Sequence, residues 1–350
     1  MRPRRTLRLI AILAVLALAG LAGRAIWANG VFASVPTGFL GSCKILTGVP
    51  GVADIASANG VTFVSVSSAR GPHPQDGIYV VSPAGKMTRL SGAPKDFHPR
   101  GIGIFRSPDG SGIFLMAVNR HNTGRFSIDS FEVTNPKTSP ALMAQGTVGG
   151  GLLTDPQDVA PLGPGTFYVS NGSAKERLVR WLASWGVMPG SNILYFNGMT
   201  FRAVVEGVYG ARGLAMTPDG AHVLVAGLTT RSLTALRRDI FTGNLTEAGS
   251  LTLPAAPDKI SLDGAGEAWV AGHANLLHWR KFAADTHARA PSQIFRVSLS
   301  GGVPQEATQV YGDDGKQIAA ASVGAASGKR LLIGSSLDSK LLDCAYSPIP

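Results

Sequence analysis

The chain has 350 residues, of which 44 are Gly and 22 are Pro, and only 15% are charged. This composition excludes a disordered or collagen-like chain and is typical of an all-β protein with a large core. The formal net charge is +10 at pH 7, but Lys and Arg are scattered and do not form a basic run with interleaved aromatic residues. The charge therefore does not predict a nucleic-acid partner.

The first 30 residues have the pattern of an export segment. Four arginines precede an apolar run at residues 9–23, which ends at Arg24. The run is short for a membrane-spanning helix, but residues 25–27 extend it if Arg24 snorkels. Because the positive charge comes first, the rest of the chain is expected on the outer, extracytoplasmic side of a membrane. A cleaved signal and a retained membrane anchor both remain open.

From residue 53 onward, a short turn rich in Gly, Pro or Asp leads into a strand-like run six times. Each unit reads as a hairpin, with an alternating strand, a turn and then a β-branched and aromatic strand. The spacing of roughly 45 to 60 residues is typical of propeller blades. We therefore predict an all-β fold, a six-bladed β-propeller over residues 31–350 that follows a signal or anchor segment at residues 1–30.

In a propeller the first strand of each blade lines the central channel, so the residues that open the six units are expected to meet at one channel end. The alternative is that they are ordinary polar residues at strand ends. The opening positions are Ala53 and Asp54, Arg100, Gln157 and Asp158, Arg212, Asp258 and Lys259, and Ser322.

Two segments interrupt the β pattern. Residues 175–188 place Leu178, Trp181, Leu182 and Trp185 on one helical face, which predicts a short amphipathic helix. This helix is expected either to pack on the propeller as a lid or to touch a membrane surface. Residues 278–290 are basic, and we predict a solvated loop there.

The chain has two cysteines, Cys43 and Cys344, which lie on either side of the predicted propeller. In an oxidising compartment we expect them to form a disulfide that joins the first strand region to the last and closes the ring. Two buried free thiols are the alternative. No serine-hydrolase elbow, zinc-protease motif or paired-cysteine metal motif is present in the sequence.

The ordered units resemble the paraoxonase/arylesterase family, six-bladed propellers related more distantly to gluconolactonases and strictosidine synthases. The match runs from Cys43 to Cys344 and is carried by SCKILTGVPGVADI, FHPRGIGIF, QDVAPLGPGTFYVSN, RGLAMTPDGAHVLVA and DKISLDGAGEAWVAGH. The resemblance implies a calcium-dependent hydrolase of aryl esters and lactones that holds two calcium ions in its channel.

The resemblance also implies site residues, and most of the implied outer calcium ligands are changed. The position of the family's Glu is Ala53, and only Asp258 keeps the family's residue type. The positions of the three ligand Asn residues are Gln157, Arg212 and Lys259. The position of the family's first histidine is Arg100, and that of the second is Arg120, with His121 one place further on. His273 matches a histidine of the family in the fifth blade. The implied catalytic residues are therefore Asp258, His121 and His273.

These changes predict that the outer calcium is absent. Calcium takes six to eight oxygen ligands, several of them anionic, and Arg212 and Lys259 place two cations there instead. The carboxylates implied for the inner, structural calcium are Asp54 and Asp158, and both are present. Two possibilities remain open. The pair binds a structural calcium, or the two aspartates pair with the arginines that replace the family's ligands.

Three hypotheses follow for the channel mouth. In the first, Arg100, Arg212 and Lys259, with Gln157, bind a small anionic or carbonyl-bearing ligand. In the second, the cations polarise a carbonyl and the protein hydrolyses esters or lactones without the outer metal. In the third, Arg212 pairs with Asp54 or Asp158, Lys259 pairs with Asp258, and the channel is a filled structural core.

Overall fold

The computed structural model describes residues 3–110 and 112–346. Helix α1 spans Pro3–Ala28, and two strands follow it, β1 (Gly38–Phe39) and β2 (Gly41–Thr47). The first blade contains β3 (Val52–Ala58), β4 (Val61–Val66), β5 (Gly77–Val81) and β6 (Met87–Arg89). The second contains β7 (Pro99–Arg106), β8 (Ile113–Arg120), β9 (Phe126–Thr134) and β10 (Ala141–Gly149).

The next three blades repeat this order. The third contains β11 (Pro156–Gly163), β12 (Thr166–Gly172), helix α2 (Arg177–Ser184), β13 (Ser191–Phe196) and β14 (Phe201–Val208). The fourth contains β15 (Ala211–Met216), β16 (His222–Gly227), β17 (Ser232–Arg238) and β18 (Leu245–Thr252). The fifth contains β19 (Ala256–Leu262), β20 (Ala268–His273), helix α3 (Leu276–Ala284), β21 (Ser292–Ser300) and β22 (Val303–Asp313). The last strands are β23 (Val323–Ser327), β24 (Arg330–Gly334) and β25 (Lys340–Tyr346).

Six antiparallel sheets surround one axis, which confirms the predicted six-bladed propeller. The innermost strands β3, β7, β11, β15, β19 and β23 touch one another in sequence and close the ring. The core lies between neighbouring sheets; for example, Phe63 and Ile78 of the first blade pack with Leu115 and Phe131 of the second. Each blade therefore buries its apolar face only against its neighbours.

The two ends of the chain close the ring together. Strand β2 is the outer strand of the sixth blade and pairs with β25, with Cys43 opposite Cys344. The two cysteines form a disulfide, as predicted, and the alternative of two free thiols is wrong. Strand β1 extends the fifth blade by pairing with β22.

Helix α2 confirms the predicted amphipathic helix but is shorter than residues 175–188. It ends because Gly186 adopts a left-handed φ of 72° just after the C-cap residue Trp185, a common helix stop. Leu178 and Trp181 are 66% and 56% exposed, whereas Leu182 and Trp185 are half-buried against the propeller. One face of the helix packs as a lid and the other faces outward.

The prediction of a loop over residues 278–290 is wrong for its first half, because α3 occupies residues 276–284. Asn275 caps this helix, since its side-chain oxygen accepts hydrogen bonds from the backbone N–H groups of Leu277 (2.8 Å) and His278 (3.3 Å). Helices α2 and α3 both connect the second and third strands of their blades, so both lie at the channel end where the innermost strands begin.

Helix α1 is long and apolar enough to cross a membrane, with a mean hydropathy of 2.3 over Leu7–Ala28. Just beyond its last residue, Asn29 is fully buried. The Asn29 side chain donates to the carbonyl of Trp185 (3.1 Å) and accepts from Arg280 (2.6 Å), and its carbonyl accepts from the Leu276 N–H (2.9 Å). The base of α1 is therefore bonded to the end of α2 and the start of α3.

Candidate functional site

The innermost strands of five blades carry a β-bulge at the residues that open the repeat units. A bulge leaves a residue outside the hydrogen-bonded ladder and turns its side chain to a new direction. This local irregularity explains why side chains near the start of these strands reach the channel mouth. The bulges include Ala53, Arg100, Gln157, Arg212, and the pair Asp258 and Lys259.

Two glycines allow these bulges to lie close together. A Cβ on Gly101 would collide with the carboxylate of Asp158 in the next blade. A Cβ on Gly213 would lie 2.5 Å from the carbonyl oxygen of Asp258. Glycine follows Arg100 and Arg212 because the neighbouring innermost strand approaches too closely for any side chain.

The bulged residues line a single cavity of about 250 Å³ at the channel mouth. The structure thus brings together the predicted ligand-binding residues Arg100, Gln157, Arg212 and Lys259 with Asp258. Among the described residues, its lining contains four basic side chains, since Arg120 also contributes, but only two carboxylates, Asp155 and Asp258. The channel mouth is therefore an open basic cavity.

Arg100 and Arg212 are held at the wall of this cavity. Arg100 donates to Asp155 Oδ1 (2.8 Å), and burial lowers the pKa of its guanidinium. Arg212 donates to Gln157 Oε1 (2.8 Å), and its guanidinium carbon lies 5.6 Å from the centre of the Trp279 ring. Its hydrogen-bond partner Gln157 is neutral, and the charge of Arg212 acts on the carboxylate of Asp258 in the same cavity.

Lys259 turns downward from the mouth. Its Nζ donates to the Gln157 carbonyl (2.5 Å) and lies 3.4 Å from Asp158 Oδ2. Both residues are buried, with Lys259 6% and Asp158 1% exposed. The pairs formed are therefore not those of the filled-core hypothesis, because Lys259 reaches Asp158 and Arg212 contacts neither Asp158 nor Asp54 by a hydrogen bond.

Asp54 and Asp158 form a buried carboxylate pair below the mouth. Burial raises the pKa of both groups, and the charge of Asp158 raises that of Asp54 further, whereas Lys259 opposes the rise. All four carboxylate oxygens accept a backbone N–H. The donors are Ile55 (2.9 Å), Ile102 (2.8 Å), Val159 (2.9 Å) and Leu214 (3.0 Å).

These donor sets do not fit calcium. The ion needs six to eight oxygen ligands, and the inner pair supplies two carboxylates that are already hydrogen-bonded and lie beside an ammonium group. The outer set retains one carboxylate, Asp258. Within residues 3–110 and 112–346, no three His, Cys, Asp or Glu side chains are grouped to hold a metal. The structural calcium at Asp54 and Asp158 stays a prediction, and the contacts favour the ammonium of Lys259.

Asp258 and His273 form a second buried pair, with Asp258 Oδ2 3.2 Å from His273 Nε2. Burial raises the pKa of Asp258, but the hydrogen bond from His273 and the charges of Arg212 and Lys259 outweigh it, so the net pKa lies below its usual range. Asp258 lines the cavity, whereas His273 lies behind it and is only 2% exposed. An ionised carboxylate therefore faces the cavity.

The predicted catalytic residue His121 does not line the cavity. Its ring contacts Asp96 (3.2 Å) and Ser127 (2.9 Å) within the second blade. His98 lines the cavity instead, and its Nδ1 lies 2.7 Å from Asp76 Oδ2. Sequence reasoning missed His98 because it considered the positions that open each unit, and His98 comes immediately before β7.

A larger outer compartment of about 810 Å³ adjoins the basic cavity. The two share Arg100, Arg120, Arg212 and Trp279 in their walls. Helices α2 and α3 cover the outer compartment. Trp279 of α3 borders both spaces, although the sequence predicted a loop at this position. In the sequence, Asn275 could have indicated the start of α3, because Asn commonly caps the N-terminus of a helix.

Comparison with known proteins assigns the family. A family model described as Arylesterase matches residues 81–345, more than half of the chain. The chain belongs to the arylesterase family. It is similar to human serum paraoxonase/arylesterase 1 (28% identical over 242 residues) and human serum paraoxonase/arylesterase 2 (27% over 240 residues). Each match covers 68% of this chain and 66% of the relative.

Solved structures agree with this arylesterase-family chain in fold. A gluconolactonase from Xanthomonas campestris superimposes with a TM-score of 0.52 at 15% identity, covering 88% of this chain and 91% of the other. A luciferin-regenerating enzyme gives a TM-score of 0.51 at 12% identity, covering 87% and 95%. At these identities the likeness concerns the propeller fold alone.

Proposed function

We propose that this arylesterase-family propeller binds a small organic anion, such as a carboxylate, in the basic cavity at its channel mouth. The observation that carries the proposal is the excess of cations in that cavity, four basic side chains against two carboxylates among the described lining residues. Arg100 and Lys259 each have a carboxylate partner, Asp155 and Asp158. Arg212, which shares the cavity with Asp258 but has no hydrogen bond to a carboxylate, and Arg120 remain to receive the charge of a ligand.

The chemistry of Arg212 suits this role. A guanidinium presents planar, forked donors that match a carboxylate, and such charge-assisted hydrogen bonds are stronger than neutral ones. The hydrogen bond to Gln157 and the ring of Trp279 hold the group in place. Little side-chain entropy would then be lost on binding, which favours affinity.

Calorimetry with benzoate tests this proposal, with benzamide as a neutral analogue of the same shape. We expect benzoate to bind and benzamide to bind at least tenfold more weakly, which corresponds to about 1.4 kcal/mol. Arg212→Gln should weaken benzoate binding by about 10- to 100-fold, because it removes a charge-assisted contact worth about 1.5–3 kcal/mol.

The matched control is Arg237→Gln, since Arg237 is exposed on β17 and does not line the cavity. This variant removes the same charge from the protein and should leave benzoate affinity unchanged. Equal binding of benzoate and benzamide, or equal losses in the two variants, would reject a specific anion site at the mouth.

Hydrolysis of an aryl ester or lactone is the second candidate function. The family to which the chain belongs supports it. Asp258 faces the cavity as a carboxylate that could act as a general base, but its lowered pKa makes it a weaker base than an ordinary Asp. Arg212 lies near enough to lower that pKa by its charge. The same guanidinium could stabilise an oxyanion formed in the cavity.

Assays on phenyl acetate and a simple lactone, with and without EDTA, test this candidate and the state of calcium together. Because the donor sets do not fit calcium, we expect the chelator to change neither the melting temperature nor any ester turnover. Asp258→Asn should abolish turnover that is present. Turnover that EDTA removes and calcium restores would show that a metal acts here.

We infer that residues 1–30 form a retained anchor and residues 31–350 the propeller on the extracytoplasmic side. The apolar length of Leu7–Ala28, enough to cross a membrane, supports retention. The buried Asn29, bonded to both α2 and α3, would then hold the channel mouth beside that membrane. The exposed Leu178 and Trp181 on α2 suit contact with the same membrane surface. We expect an intact N-terminus in the mass of the exported protein, whereas a mass that lacks about 20 to 30 residues would indicate a cleaved signal.

A further inference from the structure

The outer compartment has an unbalanced charge. Its lining within the described residues holds six basic side chains and a single carboxylate, Asp155. The cations are Arg100, Arg120, Lys175, Arg180, Arg212 and Arg280. A cavity of about 810 Å³ with this balance presents a positive field well beyond the inner cavity.

The six cations divide into two groups. Arg100, Arg212 and Arg280 are held by partners within the protein; Arg280, for example, donates to Asn29 Oδ1 and to the Ser184 carbonyl, both at 2.6 Å. In contrast, the side chains of Arg120, Lys175 and Arg180 have no hydrogen bond or ion pair to any residue in the described part of the chain. Three cations on the wall of one compartment are thus unpaired.

The compartment also has flat walls between its two ends. Trp279 borders both the inner cavity and the outer compartment, and Phe126 lies on the outer wall under the guanidinium of Arg100, at 5.1 Å from its ring centre. Guanidinium groups already lie over both rings, Arg212 over Trp279 and Arg100 over Phe126, so a flat apolar body would pack against the parts of the rings that these groups leave uncovered. Lys175 and Arg180 belong to the α2 end, away from Asp258 and Lys259, which line the inner cavity only.

We propose that Lys175 and Arg180 form a second anion subsite and that the preferred ligand is an elongated dianion. One acidic group would bind at Arg212 in the inner cavity, the flat body would lie along Trp279, and the second acidic group would reach Lys175 and Arg180. This inference rests on the proposed anion site at the mouth and adds the class of ligand.

Calorimetry on the full-length protein in detergent, at physiological ionic strength, tests the second subsite. The two probes are biphenyl-4,4′-dicarboxylate and biphenyl-4-carboxylate, which share one body and differ by one charge. We expect the dianion to bind at least about tenfold more tightly. In Lys175→Ala/Arg180→Ala the ratio of the two affinities should fall to about one.

Arg177→Ala is the matched control, because Arg177 is exposed on the same helix but does not line the compartment. It should keep the wild-type ratio, which separates a subsite from a general attraction between a dianion and a basic surface. A wild-type ratio near one, or an equal fall in the control, overturns the second subsite while the mouth site stands. Failure of both probes to bind overturns the mouth site and this inference with it.

Discussion

Replacing Cys43 and Cys344 by Ser together should lower the free energy of unfolding by about 5 kcal/mol. The disulfide spans 301 residues, and the loop-entropy model gives a stabilisation of about 5 kcal/mol for loops of this order. Strand β2 lies at the outer edge of the sixth blade, where its one partner among the described strands is β25. Without the crosslink, backbone pairing and packing alone hold this strand in place.

Urea unfolding of the full-length protein in detergent measures this loss. The reduced wild-type protein provides the matching reference, because it lacks the crosslink but keeps both side chains. We expect reduction and the double Ser variant to lower the transition midpoint by similar amounts. A variant as stable as the oxidised protein would show that the strand contacts hold the ring closed without the crosslink.

Lys259→Met should destabilise the fold by about 3–5 kcal/mol, the usual cost of removing one partner from a buried ion pair. The substitution keeps most of the side-chain volume but leaves Asp158, which is 1% exposed, without its ammonium partner at 3.4 Å. It also removes the hydrogen bond to the Gln157 carbonyl. The innermost strands of the third and fifth blades would lose their direct polar link.

The control is Lys316→Met, which breaks an ion pair to Asp314 on the surface, where Lys316 is 66% exposed. Such pairs contribute less than about 1 kcal/mol. The cost in Lys259→Met should also depend on pH. Loss of the ammonium raises the pKa of Asp158 further, so the cost is full above that pKa and shrinks as pH falls and the carboxyl takes up a proton. A loss of stability in Lys259→Met as small as that in Lys316→Met would mean that Lys259 does not form a buried ion pair with Asp158.

Much of the architecture could be predicted from the sequence because its signals are local. A turn of Gly, Pro or Asp followed by an alternating run specifies a hairpin, and six such units at blade spacing specify the ring. The same period indicated which positions open each blade, and Arg100, Gln157, Arg212 and Lys259 do meet in one cavity. The cysteine pair followed from its place at the two ends of the propeller.

Helix α3 shows where local patterns were insufficient. The basic residues of this segment suggested a loop, but the capping side chain of Asn275 and the buried Leu276 and Phe282 make it a helix over the mouth. The apolar positions that stabilise it contact other parts of the propeller. Their partners are distant in the sequence, so the pattern was too weak to be recognised there.

The sequence by itself determined the ring, its closure and the set of charges at the mouth. Only the tertiary structure decided where those charges go: Lys259 reaches Asp158 two blades away and not its chain neighbour Asp258, and His98, not His121, faces the cavity. The physical reason is that bulges redirect side chains toward neighbouring strands. Spacing along one strand does not specify which atoms of another blade will be within reach.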